Sequence, residues 1–290
     1  MRYFFRGGTL FVRGDFQAAS TGVNGGLRRV TTLLNHTVDR DFPHEEPLRS
    51  LEDLVAGMGF SRDFFGLLTA VGIRHTCILQ YDFITLFVTA GITGPVAETP
   101  AGTINIIIHS AEGFSDGALL EALLVSTMGK ADALRALGHP FSGTPTDAVV
   151  AACEGPARHE YAGTATEGGR RIYEAAFHGV EEALARHERR VERDAPSLFI
   201  YSRYGGDHWV EWRPEGCPYY PCHFEGQRCD YCYCPLYPCL DPTLGQWVES
   251  KNGGRVWNCS GCTLLHIPKV TEYLKKNPEA TLRELKRAAG

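Results

Sequence analysis

Lysine is almost absent from the first two thirds of this 290-residue chain. Lys130 is the only Lys in residues 1–200, where Arg supplies the other cationic side chains. No apolar run reaches the 18 or more residues of a membrane span. Arg2, Arg6 and Arg13 interrupt the only early apolar segment, so no signal peptide is expected. A membrane protein is therefore not expected, and a cytoplasmic location is predicted.

A large excess of charge is also missing. The formal net charge is −5, which argues against a general nucleic-acid binder. Basic residues near the C-terminus leave nucleic-acid binding as a minor alternative: Lys269, Lys275, Lys276, Lys286 and Arg287. The apolar content of 43% suffices for a proper core, and this length predicts one large or two medium domains.

Cysteine is scarce in most of the chain and concentrated in one part. Eight of the ten Cys lie between Cys217 and Cys262. The Pro-bearing segment 194–197 precedes this part and reads as a linker. We therefore predict a domain of residues 1–196 and a cysteine-rich domain of residues 197–290, beginning with a short strand at Leu198–Tyr201.

Hydrophobic patterns predict both strands and helices in the first domain. The predicted strands are Tyr3–Phe5, Thr9–Arg13, Arg74–Leu79, Phe83–Ala90, Thr103–His109 and Asp147–Cys153, with Val30–His36 as a strand or short helix. The predicted helices are Ser50–Gly57, Arg62–Val71, Gly168–Glu192 and one that begins at Ser115 or Asp116 and ends at Gly138. Strands dispersed between helices indicate an α/β (or α+β) layered domain with a mixed sheet.

Short Gly-Thr segments form the most informative pattern. The motif Gly-Thr-x-Thr-acid occurs at Gly143–Asp147 and again at Gly163–Glu167, so it includes Thr144, Thr146 and Thr164. Small residues beside Gly let a backbone approach a ligand closely and leave N–H groups free to bind oxygens. Each segment alone could be an ordinary turn. Their clustering favours a site.

Lys130 lies on the apolar side of its predicted helix, with Leu123 and Leu134. Such a Lys either extends out to solvent or is held in a site. The scarcity of Lys favours the second reading. Asn105, inside the buried strand, is either a structural amide or a substrate contact. Asn24 lies in the Gly-rich loop 21–26.

The second domain carries a dense set of metal-ligand residues: Cys217, Cys222, His223, Cys229, Cys232, Cys234, Cys239, Cys259, Cys262 and His266. Two Cys-x2-Cys pairs within it are strong metal signals, and thiols in a reducing compartment favour metal over disulfides. These groups could fill one or two zinc sites. An iron–sulfur cluster and disulfides are the alternatives. Because Leu, Ile and Val are few here, metal would stabilise the fold.

The Gly-Thr segments and Lys130 of the first domain carry a resemblance to the adenosylcobinamide amidohydrolases, which covers roughly residues 1–190. The likeness rests on Ser20, Gly25-Gly26, Asn35, Gly102-Thr103-Ile104-Asn105, Thr127, Lys130, Ala133-Leu134, Gly143-Thr144-x-Thr146-Asp147-Ala148-Val149-Val150 and Ala162-Gly163-Thr164-x-Thr166-x-x-Gly169. Met128 stands where the family often has Glu. The segment 205–270 resembles small cysteine-rich domains, thought to bind metal, that are fused to these enzymes.

The resemblance implies an amidohydrolase that cleaves the aminopropanol amide of adenosylcobinamide, a corrinoid small molecule. From residue type alone, Asp147 is a base or orienter, Thr144 or Thr146 a nucleophile or oxyanion donor, and Lys130 an electrostatic stabiliser or acid. The residues expected to bind substrate are Asn24, Asn35, Gly102, Thr103, Asn105 and Thr164. The alternative is a non-catalytic corrinoid-binding protein whose cysteine-rich domain contacts a protein partner.

Overall fold

The computed structural model describes residues 1–39, 42, 46–93, 101–202, 206–213, 217, 219–232, 234–249 and 255–290. The chain divides into two compact units, the first comprising Tyr3–Trp212 and the second Arg213–Gly290.

The first unit is an α/β domain. Its strands, in chain order, are β1 (Arg2–Arg6), β2 (Thr9–Ser20), β3 (Gly26–Thr37), β4 (Phe64–Thr69), β5 (Cys77–Tyr81), β6 (Ile84–Thr93), β7 (Ala101–Ser110), β8 (Gly113–Phe114), β9 (Ala148–Cys153), β10 (Ala157–His159), β11 (Ser197–Ser202) and β12 (His208–Trp212). Its helices are α1 (Pro47–Gly57), α2 (Asp116–Ala136) and α3 (Glu167–His187).

One mixed sheet of ten strands organises the described residues of this unit. Its order is β12-β11-β5-β6-β7-β9-β2-β3-β4, and β1 pairs with β2. Helical crossovers make β3–β4 and β7–β9 parallel, whereas β2–β3 and β5–β6–β7 are antiparallel. The predicted layered α/β domain with a mixed sheet is confirmed.

Apolar residues fill both faces of the sheet. One face packs on α2 and α3 through a core that includes Ile104, Ile106 and Ile108 of β7. The other face includes Ile107 and packs against residues of β2, β3 and β4, such as Leu67. The alternation along β7 explains why its sequence is apolar throughout: both faces are covered.

Helix α2 begins and ends where its sequence predicts. The Ser115 Oγ accepts a hydrogen bond from the N–H of Ala118 at 3.0 Å, which caps the first turn. Gly138 follows the helix with φ +84°, a conformation that glycine adopts at little cost. Gly129 lets α3 approach closely, since a Cβ there would lie 2.6 Å from the carbonyl oxygen of Tyr173.

The segment Arg62–Val71 is not the helix that its pattern predicts. It contains β4, which pairs in parallel with β3. Phe65 and Leu67 face the core shared with β2, whereas Phe64 faces α1. A short apolar run buried on both sides does not distinguish a strand from a helix by its periodicity. For Val30–His36 the strand alternative is the observed one, in β3.

The strand at Leu198–Tyr201, predicted to begin the second domain, instead belongs to the first unit. It is part of β11, which pairs with β5. The Arg186 guanidinium, fully buried on α3, donates to Glu211 of β12 at 3.0 Å. Arg193 and Ser197 also donate to Glu211. A buried guanidinium requires such a carboxylate, so β11 and β12 are bound to the first unit.

The second unit contains β13 (Gln246–Glu249), β14 (Arg255–Asn258), α4 (Pro268–Lys276) and α5 (Leu282–Ala289). Its small core comprises Leu264, Leu265, Val270, Leu274, Ala280 and Leu285. Thr281 and Glu284 form a capping box at the start of α5. Asn277 follows the last turn of α4 as its C-cap.

Within the described residues, no helix combines the length and the apolar character needed to cross a membrane.

We expect a fragment ending at Trp212 to fold, and one ending at Pro196 to be less stable. The shorter fragment leaves Arg186 buried without Glu211, and breaking a buried ion pair typically costs about 3–5 kcal/mol. Thermal unfolding followed by circular dichroism compares the two, with Glu211→Gln in the longer fragment as the matched variant. Equal midpoints would contradict this role for Glu211.

Candidate functional site

Lys130 and Asp147 form an ion pair where two parallel strands begin. Asp147 directly precedes β9, and Lys130 lies on the last third of α2. The Lys130 Nζ is 2.6 Å from Asp147 Oδ2, and the two side chains are 8% and 9% exposed. Lys130 is therefore held by a partner and does not extend to solvent.

The Asp147 carboxylate accepts four hydrogen bonds. Its Oδ2 accepts from Lys130 and, at 3.0 Å, from the N–H of Thr144. Its Oδ1 accepts from the N–H of Ile104 at 2.8 Å and from Thr144 Oγ1 at 2.6 Å. A carboxylate offers about four lone-pair sites, so all are occupied. This arrangement suits a group that orients its neighbours.

Hydroxyl groups surround the carbonyl oxygen of Gly102 beside this pair. Thr144 Oγ1 and Thr146 Oγ1 lie 2.7 and 2.8 Å from it. Thr146 Oγ1 is also 2.8 Å from Thr103 Oγ1. Thr144 is partly buried, whereas Thr146 is exposed. Thr146 therefore offers the hydroxyl that a ligand in solution reaches.

Gly143 leaves the space that the ion pair occupies. A Cβ at this position would lie 2.5 Å from Lys130 Nζ and closer still to Asp147 Oδ2. Gly102 is equally constrained by the backbone of Gly91, which a Cβ would overlap. The Gly of the first Gly-Thr-x-Thr-acid segment thus has a steric role.

Buried amides tie the strands together next to Thr103. Asn105 Nδ2 donates to Asn35 Oδ1 at 3.0 Å and to the carbonyl oxygen of Leu68 at 2.8 Å. Asn35 Nδ2 in turn donates to Thr89 Oγ1 at 2.9 Å. Asn105 is therefore structural in part. Its Oδ1 is buried and has no hydrogen-bond partner within the part of the chain that the structure describes.

Two predicted site residues are placed differently. Asn24 uses both ends of its amide on the backbone of β4, donating to Phe64 O at 2.7 Å and accepting from Gly66 N at 3.1 Å. Thr164 is exposed in the turn before α3, three residues before the helix begins at Glu167. The N–H of nearby Ala162 donates to Glu121, which precedes Lys130 by nine residues, about 13 Å along α2.

Met128 lies apart from this cluster. Its side chain is 50% exposed, whereas Lys130, two positions on, is buried. Residues two apart on a helix do not share a face. The Glu-to-Met departure noted in the sequence thus falls on the solvent side of α2.

Two features of the site, the Ile104 N–H donor and the steric role of Gly143, were not predicted from the sequence. The Ile104 N–H binds Asp147, yet a backbone group leaves no trace in residue type. The steric role of Gly143 was also missed, although its place before Thr144 was a signal.

The ten predicted metal ligands lie in the second unit. Gln227 Nε2 donates to Cys222 Sγ at 3.2 Å and to Cys229 Sγ at 3.3 Å. The rings of His223 and His266 lie 4.6 Å apart, centroid to centroid. Among the described residues, no group of three or more His, Cys, Asp or Glu side chains has a metal-holding geometry.

These features define a class: an α/β protein with a cluster of charged and hydroxyl groups at strand ends, joined to a cysteine-rich module. The family of adenosylcobinamide amidohydrolases matches residues 10–192, and the cysteine-rich small domain matches residues 208–289. The chain belongs to the adenosylcobinamide amidohydrolase family, and the resemblance in its sequence is confirmed.

Two curated relatives carry the same description, and a third carries a different one. An adenosylcobinamide amidohydrolase of Methanosarcina mazei is 37% identical over 195 residues, which are 63% of this chain and 98% of that protein. One of Halobacterium salinarum is 32% identical over 164 residues, 51% of this chain and 71% of that protein. A probable cobalt-factor III C(17)-methyltransferase of Methanothermobacter thermautotrophicus is 45% identical over 64 residues, 22% and 17% of the two chains. No solved structure matches this chain.

We expect Gly143→Ala to separate Lys130 from Asp147 and to destabilise the fold, since forcing atoms into a filled site typically costs about 1–3 kcal/mol. Gly163→Ala is the matched control, because nothing lies within 4 Å of a Cβ there. Chemical denaturation of both variants measures the difference. Equal losses of stability would contradict a steric role for Gly143.

Proposed function

We propose that this chain hydrolyses the amide that joins aminopropanol to the corrin ring of adenosylcobinamide, giving adenosylcobyric acid and aminopropanol. The family supports the reaction, and the M. mazei relative is covered over 98% of its length. The observation that carries the proposal is the buried Lys130–Asp147 ion pair, in which Asp147 directly follows the exposed Thr146 in the same loop.

In amide hydrolysis the oxygen of a water or hydroxyl nucleophile, which loses its proton, attacks the carbonyl carbon and the C–N bond then breaks; the reaction needs stabilisation of the oxyanion and a proton for the leaving amine. The Lys130 ammonium has three N–H donors, and Asp147 takes one of them. We assign the remaining donors to the developing oxyanion and to the leaving amine. Because Asp147 already accepts four hydrogen bonds, its role is to orient Lys130 and Thr144.

The substrate amide is proposed to lie against Thr146 and Thr103. Their hydroxyls are 2.8 Å apart, and when Thr146 donates to Thr103 the Thr103 proton is available for a ligand. The carbonyl oxygen of Gly102 lies 2.8 Å from Thr146 Oγ1 and accepts from it when Thr146 does not donate to Thr103. Asn24, Asn35 and Asn105 support the surrounding strands through the hydrogen bonds of their side-chain amides.

A corrinoid-binding protein without hydrolytic activity is the second candidate. One observation favours it: the saturated Asp147 carboxylate leaves no lone pair to act as a general base in the cluster. Incubating the purified chain with adenosylcobinamide and detecting cobyric acid by chromatography separates the two. Binding without product would reject the amidohydrolase proposal.

The second unit is proposed to hold zinc as a structural ion. Cys-dominated sites are typically closed, whereas catalytic zinc keeps an open position. The thiolate donor set fits zinc, and the core of this unit is small. Elemental analysis that found iron and sulfide would favour the iron–sulfur alternative.

A reducing, cytoplasmic location is proposed because it preserves these thiols. A protein partner for the module is part of the second candidate function.

Lys130→Met should lower turnover of adenosylcobinamide by about 10²-fold or more, since it removes the cation while keeping the side chain's bulk. Arg135→Ala, which removes an exposed cation from the same helix, is the control and should turn over substrate as the parent does. Steady-state assays with circular dichroism of each variant provide the measurement. A few-fold effect in a folded Lys130→Met protein would make Lys130 a bystander.

A further inference from the structure

The cysteine-rich module contains an internal repeat. Cys217–Cys222 reads Cys-Pro-Tyr-Tyr-Pro-Cys, and Cys234–Cys239 reads Cys-Pro-Leu-Tyr-Pro-Cys. Each copy is followed by a Cys-x2-Cys pair, at Cys229/Cys232 after the first and at Cys259/Cys262 after the second. The spacing differs because the hairpin of β13 and β14 lies between Cys239 and Cys259.

The backbone repeats along with the sequence. In each Cys-Pro-x-Tyr-Pro-Cys segment, the Tyr N–H donates to the carbonyl oxygen of the first Cys at 3.1 Å: Tyr220 to Cys217, and Tyr237 to Cys234. In each Cys-x2-Cys pair, the second Cys N–H donates to the carbonyl oxygen of the first, at 3.2 Å for Cys232 and 2.9 Å for Cys262. Both halves thus present two thiol pairs from tight turns.

A buried glutamine joins the thiols of the first half. Gln227, 5% exposed, bridges Cys222 Sγ and Cys229 Sγ through one amide nitrogen. Its Oε1 accepts from the N–H groups of His223 and Phe224, at 2.9 and 3.3 Å. The side chain is therefore fixed at both ends. It brings together one thiol from the Cys-Pro-x-Tyr-Pro-Cys segment and one from the Cys-x2-Cys pair.

The cysteines of the second half line one cavity. Cys234, Cys239, Cys259 and Cys262 all contribute to its wall, as does Cys232 of the first half. His223 and His266 line the same cavity, so the experiment below must test whether either histidine is a ligand.

We propose that the module holds two metal ions, one on Cys217, Cys222, Cys229 and Cys232 and the other on Cys234, Cys239, Cys259 and Cys262. This assignment rests on the proposed zinc-binding role of the module. Four thiolates satisfy a closed tetrahedral zinc site. The amide of Gln227 donates to two sulfurs of the first site and offsets part of its negative charge.

This grouping leaves His223 and His266 outside both sites, which departs from the ten-ligand set that the sequence suggests. His266 is tied to Arg228, its Nδ1 being 2.8 Å from the carbonyl oxygen of Arg228. The N–H of Arg228 donates back to His266 O at 2.8 Å. Since Nε2 of His266 is not used in this tie, His266 is the residue whose substitution tests the grouping most directly.

The experiment uses the full-length chain. Elemental analysis should find two zinc ions per chain in the parent protein and in His266→Gln and His223→Gln. Cys222→Ser and Cys239→Ser should each lose about one ion. Loss of an ion in His266→Gln, or one ion per chain in the parent, would overturn the grouping.

A second measurement does not depend on folding of the cysteine variants. In the parent protein loaded with cadmium-113, two resonances with the chemical shift of four-sulfur coordination are expected. A resonance in the range of mixed sulfur and nitrogen ligands would overturn the proposal. A parent protein that binds no metal would overturn both this grouping and the zinc role, whereas metal bound in another grouping overturns the grouping alone. Turnover of adenosylcobinamide is not a readout of either.

Discussion

The Asp147 carboxylate joins three segments that are distant in the sequence. It receives donors from α2, from the loop before β9 and from the start of β7. If the carboxylate were lost, the buried Lys130 ammonium would have no counter-charge, and an unpaired buried charge is costly. The positions of the hydroxyl groups on this loop also depend on it, because Thr144 binds it through both N–H and Oγ1. The Asp147 side chain therefore serves both the fold and the proposed chemistry.

The two units achieve stability by different means. The first buries apolar residues on both faces of one large sheet. The second has a small aliphatic core against which Cys234 and Cys262 pack. The repeat of Cys-Pro-x-Tyr-Pro-Cys places pairs of cysteines at tight turns. The proposed metal ions would add to the limited hydrophobic burial of this unit.

Local signals were sufficient for the elements that position the site. The apolar run around Asn105 predicted β7, and the Ser115 cap with Gly138 predicted both ends of α2. The isolated Lys130 predicted a held cation, and the structure supplies its partner. Each of these features depends on residues close together in the chain.

Features set by distant contacts were not predictable in the same way. The Arg62–Val71 run became β4 because β3 pairs with it, and β11 joined the first sheet because it pairs with β5 and because Arg186 requires Glu211. The saturation of Asp147 likewise depends on Ile104 N, which only the register of β7 and β9 places there.

The position of β9 in the middle of the sheet has a consequence for how the chain folds as it is made. β2 must pair with β9 through Gln17–Ser20 and Val150–Cys153, so the sheet cannot close until about 130 further residues have left the ribosome. At ordinary synthesis rates this takes on the order of ten seconds. During that interval the Gln17–Ser20 part of one edge of β2 is open to other strands, a hazard for a nascent chain.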